Sequence, residues 1–286
     1  IYIKGRKIDI AFAVDSLVHP AFRRPFSNFL SIIKEIKNVK EFAFVLHTSN
    51  ENTEGIYKNI LKLDCPISLS GYGLPINIRN IAKKFLGFKI PFLQFINYPI
   101  IWTIEALFFL SGNLSKLNIS PKAPGNQVHN EFLLGAADLN EMNVLHNLRF
   151  LKWRFEESPL WKADIQYIYR GSVYLGYIVL RHIELEGLRF TVVMDFSVHK
   201  NMTKIQKIFI RMYIVKQALM SRDDVVFMLF NSKAKSVKRF LGFPFIHIPD
   251  KFLPHKTPFF MHVVNTDVDV KSIANLNITL ADIDYF

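Results

Sequence analysis

The chain has 286 residues, with 36 Lys and Arg against 24 Asp and Glu, and so a formal net charge of +12. Half of it is hydrophobic and 27 residues are Phe, which excludes a disordered, collagen-like or disulfide-stapled chain. A single cysteine, Cys65, excludes an intramolecular disulfide and a Cys-rich metal site, and fits a reducing, cytoplasmic setting.

The opening Ile1-Tyr2-Ile3-Lys4-Gly5 reads as the middle of a β-hairpin without a signal-peptide pattern, so a preceding piece is expected. Two segments about 180 residues apart share one pattern. The first reads AFAVDSLVHP, then a helix from Pro25 to about Lys37, where Pro suits a first helical turn. A strand over 41–47 and a helix over 54–63 follow. The second reads FTVVMDFSVHK, a helix, then VVFMLFNSKAKSVKRFLGF. Asp15 matches Asp195, Val18-His19 matches Val198-His199, and Asn50 matches Asn231.

Between the copies, 78–117 reads as helices interrupted by Pro91 and Pro99. Its most apolar part, 90–110, is broken by polar residues and prolines. It reads as a buried or amphipathic helix rather than a membrane span, which needs about 20 mostly apolar residues. Lys83, Lys84 and Lys89 flank it, which leaves peripheral membrane contact through 83–110 open. Asp138-Leu-Asn-Glu141 has capping-box spacing and predicts a helix running to about Glu156.

In the second copy, 167–169, 174–184 and 188–197 are β-branched and aromatic and are separated by Gly-containing pairs. They predict an antiparallel meander. Ile205, Ile208, Phe209, Met212, Val215 and Leu219 recur at helical spacing. A short buried strand over 225–230, a helix over 233–241 ended by Gly242, and strands over 245–248 and 259–264 then close the unit. The predicted fold class is α+β: two tandem lobes, each a mixed, mainly antiparallel sheet flanked by helices. The division is 1–80 for a partial first lobe, 81–118 for a helical connection and 119–286 for the second lobe.

The local signatures of P-loop, dinucleotide-binding, zinc-protease and serine-hydrolase chemistry are absent from the sequence, and no metal is expected. What is present is Asn50-Glu-Asn-Thr53-Glu-Gly-Ile-Tyr57-Lys-Asn-Ile-Leu61 and its counterpart Asn231-Ser-Lys-Ala234-Lys-Ser-Val-Lys238-Arg-Phe-Leu-Gly242-Phe243. With the strand, strand, helix, strand, helix order, these resemble the GNAT superfamily of acyl-CoA-dependent N-acyltransferases, whose pattern is close to N-x-x-A-x-x-x-Y-x-x-x-G-F. The second copy has Lys238 where the pattern has Tyr. In its duplication and in the segment Leu151-Lys-Trp153-Arg154-Phe155, the chain is similar to tandem GNAT-like proteins found among bacterial polysaccharide genes.

The resemblance implies that acetyl-CoA or another acyl-CoA is the co-substrate and a small amine of a sugar, amino acid or related metabolite the acceptor. In that family the pantetheine arm lies between two splayed strands, near Val18 here, and the pyrophosphate sits at the next helix N-terminus. That places Arg23, Arg24, Ser27 and Asn28 at the phosphates. The run Arg23-Arg24-Pro25-Phe26 lacks the glycines of the family's phosphate loop, and Lys200-Asn201-Met202-Thr203-Lys204 departs further. Tyr57 would protonate the leaving thiolate or else pack on its helix face. Asn50 would bond the cofactor arm or cap the helix that follows. Asp15 would act as a base, or hold structure, since it recurs as Asp195 in the copy without the Tyr. Arg23 and Arg24 suit phosphate oxygens or form a solvated pair. Two other readings stand beside the acyltransferase: a non-catalytic binding module, and a transferase like the tandem-GNAT peptidoglycan enzymes that use aminoacyl-tRNA. The dispersed basic residues speak against nucleic acid.

Overall fold

A meander of β8 (Asp164–Arg170), β9 (Val173–Leu185) and β10 (Leu188–Val198) runs through the centre of the larger sheet. The structure is a computed structural model and describes residues 2–3, 6–13, 31, 35, 41–48, 54–87, 93–136, 143–159, 162–250, 253, 258–264 and 273–282. The turn between β9 and β10 places both Glu186 (φ 51°) and Gly187 (φ 79°) in the left-handed region. Two such residues make the tight hairpin whose twist matches its strands. The helix Lys204–Met220 follows, opened by a capping box between Thr203 and Gln206, and β11 (Val225–Phe230) then lies parallel to β10. The meander, the long helix and the short buried strand thus match the sequence expectation.

Where the halves meet, the sheets differ from that expectation. The first half supplies β1 (Tyr2–Ile3), β2 (Arg6–Lys7), β3 (Ala11–Ala13), β4 (Phe44–Thr48), β5 (Asp64–Ser68) and β6 (Ser70–Pro75). Between the halves comes β7 (Asn118–Ser120), and the second half ends with β12 (Ile246–Ile248) and β13 (Pro258–Val263). The larger sheet runs β12-β6-β11-β10-β9-β8-β7 and the smaller β3-β4-β13-β5. Strand β6 inserts antiparallel between β11 and β12, and β13 inserts antiparallel between β4 and β5. Each half therefore lends one strand to the other's sheet, beside the strand that closes its parallel pair. The expectation that 259–264 closes the second unit is corrected by this pairing: Phe260 faces His47 and Met261 faces Leu46 across the ladder. Strand β6 reads poorly as a strand because it is Ser-Gly-Tyr-Gly-Leu-Pro. Its glycines serve close approach, since a Cβ on Gly73 would lie 2.7 Å from the Val226 carbonyl oxygen.

Both faces of the central strands are buried. Along β10, Val192 and Met194 enter one core and Val193 the other, as the alternation of a strand requires. The first core joins Phe44 and Leu46 of β4, Phe259 and Met261 of β13, and Val192 and Leu229 of the large sheet, so the two sheets share one interior. The second packs Ile210, Ile214 and Val215 of the long helix onto Val193, Met228 and Phe230. With its interior shared and its strands exchanged, the chain is expected to melt in a single transition. Phe259→Ala, which empties a fully buried site, should lower stability by about 3–5 kcal/mol and keep that single transition in calorimetry. Two separate transitions would contradict the exchange.

The helical elements are α1 (Ile78–Leu86), α2 (Leu93–Ser115), α3 (Asn126–Ala136), α4 (Leu148–Leu151), α5 (Lys204–Met220) and α6 (Lys235–Phe240). Two short π-helical turns, Ile56–Ile60 and Lys152–Glu156, stand beside them. Helix α2 runs through Pro99 rather than stopping there; the Thr103 hydroxyl donates to the Pro99 carbonyl at 2.8 Å, and Pro91 lies outside the described residues. Residues 143–147 are not helical, so no helix extends from 138 to 156. Asn147 caps α4 instead, accepting from the Phe150 N–H at 2.8 Å. Of the predicted helix over 25–37, Ser31 and Glu35 are described and are helical. Among the described residues no helix is long and apolar enough to cross a membrane.

Candidate functional site

The two parallel strands at the centre of the large sheet pair only from Phe190↔Val225 to Val193↔Met228. A bulge between Val193 and Asp195 shifts β10 against β9, and β10 then continues to Val198 with no further partner on β11. A cleft opens there, at the carboxyl ends of the parallel strands, where open α/β sheets bind ligands. Its wall is Phe196–His199 of β10 and beyond, with Ser236 and Arg239 of α6 facing it and Asn277 and Thr279 of the C-terminal segment alongside. The enclosed part is small, about 40 Å³, room for a few water molecules.

The floor is a buried polar network. The His146 imidazole donates from Nδ1 to Asp195 Oδ2 at 2.7 Å and from Nε2 to Asp282 Oδ1 at 2.8 Å. The Tyr177 hydroxyl donates to Asp195 Oδ2 at 2.8 Å, and the Phe196 N–H to Asp195 Oδ1 at 2.8 Å. Burial alone would depress the His146 imidazolium. The carboxylates of Asp195 and Asp282 outweigh it, through charge and hydrogen bonds, and hold its pKa at about 10. Burial, and then Asp195, push the Tyr177 phenol far above its usual range. Beside them His129 meets the His146 carbonyl at Nε2 and the Tyr174 hydroxyl at Nδ1, both at 3.0 Å. A carbonyl only accepts, so Nε2 carries the proton and Nδ1 accepts; burial lowers the pKa of this imidazole and keeps it neutral. Asp195 thus accepts three hydrogen bonds in the interior and ties the C-terminal segment, through His146 and Asp282, to β10.

The mouth is basic. Lys200, Lys207 and Arg239 line it, and the one carboxylate among the described lining residues, Asp195, is engaged by His146. The ammonium of Lys207 is lowered by burial, then by the charges of Arg239 and Arg211. The imidazole of His199 is lowered by burial, then by Lys200 and Arg170. A mouth lined by several cations with no free carboxylate among the described lining residues is favourable to an anion. At the N-terminus of α5, the Gln206 N–H donates to Thr203 Oγ1 at 3.3 Å and the Thr203 N–H to Gln206 Oε1 at 3.0 Å. Two of the amides at this helix N-terminus are therefore engaged within the chain, and the cationic side chains of Lys207, Arg239 and Lys200 stand at the same mouth.

In the first half, β3 and β4 form the equivalent parallel pair, from Ala11↔Val45 to Ala13↔His47. Tyr57 follows on the π-helical turn and is buried, its ring 5.3 Å from that of His47 and 5.4 Å from that of Phe260 of β13. Burial raises its phenol. The matching Lys238 is exposed. Asp15, Val18, Arg23, Arg24, Ser27, Asn28 and Asn50 lie outside the described residues. Asn231, the counterpart of Asn50, donates from Nδ2 to the carbonyls of Ala274 and Leu276 and accepts from the Lys233 N–H, so it holds the C-terminal segment against the strand end. Sequence reasoning missed His146, Asp282, Lys207 and Arg239. Lys207 and Arg239 sit on separate helices, and His146 lies in an irregular segment, so no local spacing signals them.

The parted parallel strands, the crossover helix and the mixed sheet are the fold of GCN5-related N-acetyltransferases. The chain is similar to a GCN5-related N-acetyltransferase from Anabaena variabilis, with a TM-score of 0.55, 11% identity and 92% of this chain covered. It is likewise similar to one from Kribbella flavida, at 0.51, 12% and 92%, and to a conserved protein of unknown function from Enterococcus faecalis, at 0.54, 9% and 93%. It spans 57%, 55% and 57% of the lengths of those three proteins. No protein-family model matches the sequence, and no curated protein matches it. Among the described residues no group of three or more His, Cys, Asp and Glu is placed to hold a metal ion.

Proposed function

We propose that the chain is an acyl-CoA-dependent N-acyltransferase of the cytoplasm, acting on a small amine such as that of a sugar or amino acid. The observation that carries this reading is the cleft beyond the end of the parallel β10–β11 pairing, walled by β10, α6 and the C-terminal segment and lined at its mouth by Lys200, Lys207 and Arg239. A pantetheine arm would take backbone hydrogen bonds from the edge of β10 that β11 leaves unpaired, with the small cleft opening around it, and the basic mouth suits the phosphates. In the reaction the amine nitrogen attacks the thioester carbonyl, the C–N bond forms, the C–S bond breaks, and the amine proton ends on the departing thiolate. Residues 1–80 and 119–286, with their exchanged strands, are the two lobes in this proposal.

The alternative place for the reaction in this proposal is the first lobe, between β3 and β4, with Tyr57 as the proton donor, Asp15 as the base and Arg23, Arg24, Ser27, Asn28, Asn50 and Val18 at the cofactor. Calorimetric titration with acetyl-CoA and longer acyl-CoAs tests the proposal, and no binding at millimolar ligand would overturn it. If Tyr57 is the acid, Tyr57→Phe should cut turnover about a hundredfold with cofactor affinity unchanged. Unchanged turnover would assign Tyr57 to packing against His47 and Phe260. A non-catalytic acyl-CoA-binding module is the second reading, favoured by the complete engagement of Asp195 and Tyr177 at the cleft floor. Binding without transfer to any amine would establish it.

A further inference from the structure

Helix α2 is apolar on both sides. Its inner side packs on α5, with Phe108 stacked on Phe209 at 5.2 Å and Ile104 buried. Its outer side exposes Phe95 (62%), Tyr98 (59%), Trp102 (75%), Phe109 (67%), Leu110 (56%) and Leu114 (68%). At 100° per residue these six side chains fall within an arc of about 160°, which also holds the exposed Thr103 and Asn113, and form one stripe along about 29 Å of helix. Glu105, the only charged residue in the helix, stands outside that arc. A helix apolar all round is ordinarily enclosed by protein or lipid, and this one has a whole face in solvent.

We propose that this stripe seats the protein on an anionic lipid surface, with α2 lying in the plane of the headgroups. Three observations favour lipid. The stripe mixes Trp, Tyr and Phe, whose amphipathic rings settle at the membrane–water boundary. Exposed lysines bracket it: Lys83 on α1, which packs against α2, and Lys116 just beyond its C-terminal end. The whole chain carries a net charge of +12, complementary to such a surface. A second copy fits less well. Antiparallel stacking of two stripes would bring Lys116 toward the partner's end bearing Lys83, and parallel stacking would oppose each lysine to itself, so like charges meet in either arrangement. The proposal stands apart from acyl transfer and needs no active cleft.

The test is co-sedimentation of the full chain with vesicles of phosphatidylcholine alone or mixed with phosphatidylglycerol, together with quenching of tryptophan fluorescence by brominated lipid. The expected result is binding to the phosphatidylglycerol vesicles that weakens with salt, with strong quenching that Trp102→Phe removes. Phe95→Ser/Trp102→Ser/Phe109→Ser should abolish sedimentation while retaining the thermal transition of the parent. Lys83→Gln and Lys116→Gln should each weaken binding about fivefold. Absence of binding to either vesicle would overturn the proposal. So would a concentration-dependent dimer in sedimentation velocity that the triple variant dissolves while vesicle binding is absent; that outcome would assign the stripe to a second copy.

Discussion

Lys207→Ala combined with Arg239→Ala is expected to weaken acetyl-CoA binding about a hundredfold. A hydrogen bond to a charged group contributes about 1.5–3 kcal/mol, and the double variant removes two groups able to make such bonds to phosphate. With the Thr203 and Gln206 amides engaged in their capping box, Lys200 is the cation of the mouth that remains. Lys207→Ala alone should also weaken binding while leaving thermal stability level or slightly higher, because burial and then the neighbouring Arg239 and Arg211 oppose the Lys207 charge. Affinity lost while stability holds is the signature of a ligand site rather than a structural contact. Calorimetry at fixed ionic strength measures the first and a thermal melt the second. Lys122→Ala with Lys152→Ala, both exposed and outside the cleft, is the matched control and should change affinity less than twofold. An affinity within twofold of the parent in the Lys207/Arg239 variant would remove the basic mouth from the account.

The second large effect concerns the cleft floor. His146→Ala leaves Asp195 and Asp282 buried without the cation between them, and breaking a buried pair from one side costs about 3–5 kcal/mol, a large part of the 5–15 kcal/mol typical of a domain. The pH dependence follows from a pKa held at about 10 in the folded chain against about 6.5 for an unfolded histidine. The folded state binds the proton more tightly, so this contribution is fully present below about pH 6.5 and fades as pH rises toward 10. Denaturant midpoints of the parent should therefore fall between near pH 6 and near pH 9, and those of His146→Gln should fall less. Equal slopes for the two proteins would show that His146 is not charged in the interior.

The contrast between the halves shows what patterning can carry. The meander, α5 and β11 were legible because β-branched and aromatic runs end at Gly-containing turns, and because apolar spacing changes from strand-like to helical at Lys204. The repeated Asp, Val-His and Asn positions marked the two copies, and the parallel pair in each is what the structure adds. Strand exchange left no trace in that pattern. The apolar residues of β13 bury equally well in either sheet, so periodicity fixes that the segment is a strand and says nothing of its partner. Strand β6 was hidden by its own glycines, although these are what allow Gly73 to meet Val226. The helix expected over 138–156 failed on a short-range cue, since capping-box spacing at 138–141 says nothing about residues 143–147, which bridge to the C-terminal segment at Asn143↔Asn277.

The candidate site divides the same way. Asp195 was legible through its recurrence, and its three buried hydrogen bonds fit a structural reading. His146 and Asp282 are brought to it from segments 49 and 87 residues away in sequence, a distance over which no motif operates. Lys207 and Arg239 meet only because β10 and β11 run parallel and carry their helices to the same end of the sheet. Tyr57 was legible as an aromatic on a helix face, and its contact with Phe260 depends on the exchanged strand.

A crystal structure of the chain with an acyl-CoA bound tests the central claim most directly. The account predicts the pantetheine arm between β10 and β11 beyond Val193 and Met228, hydrogen-bonded to the backbone of 196–198, with the phosphates on Lys207 and Arg239. A cofactor bound only between β3 and β4, with the second cleft closed, would contradict it.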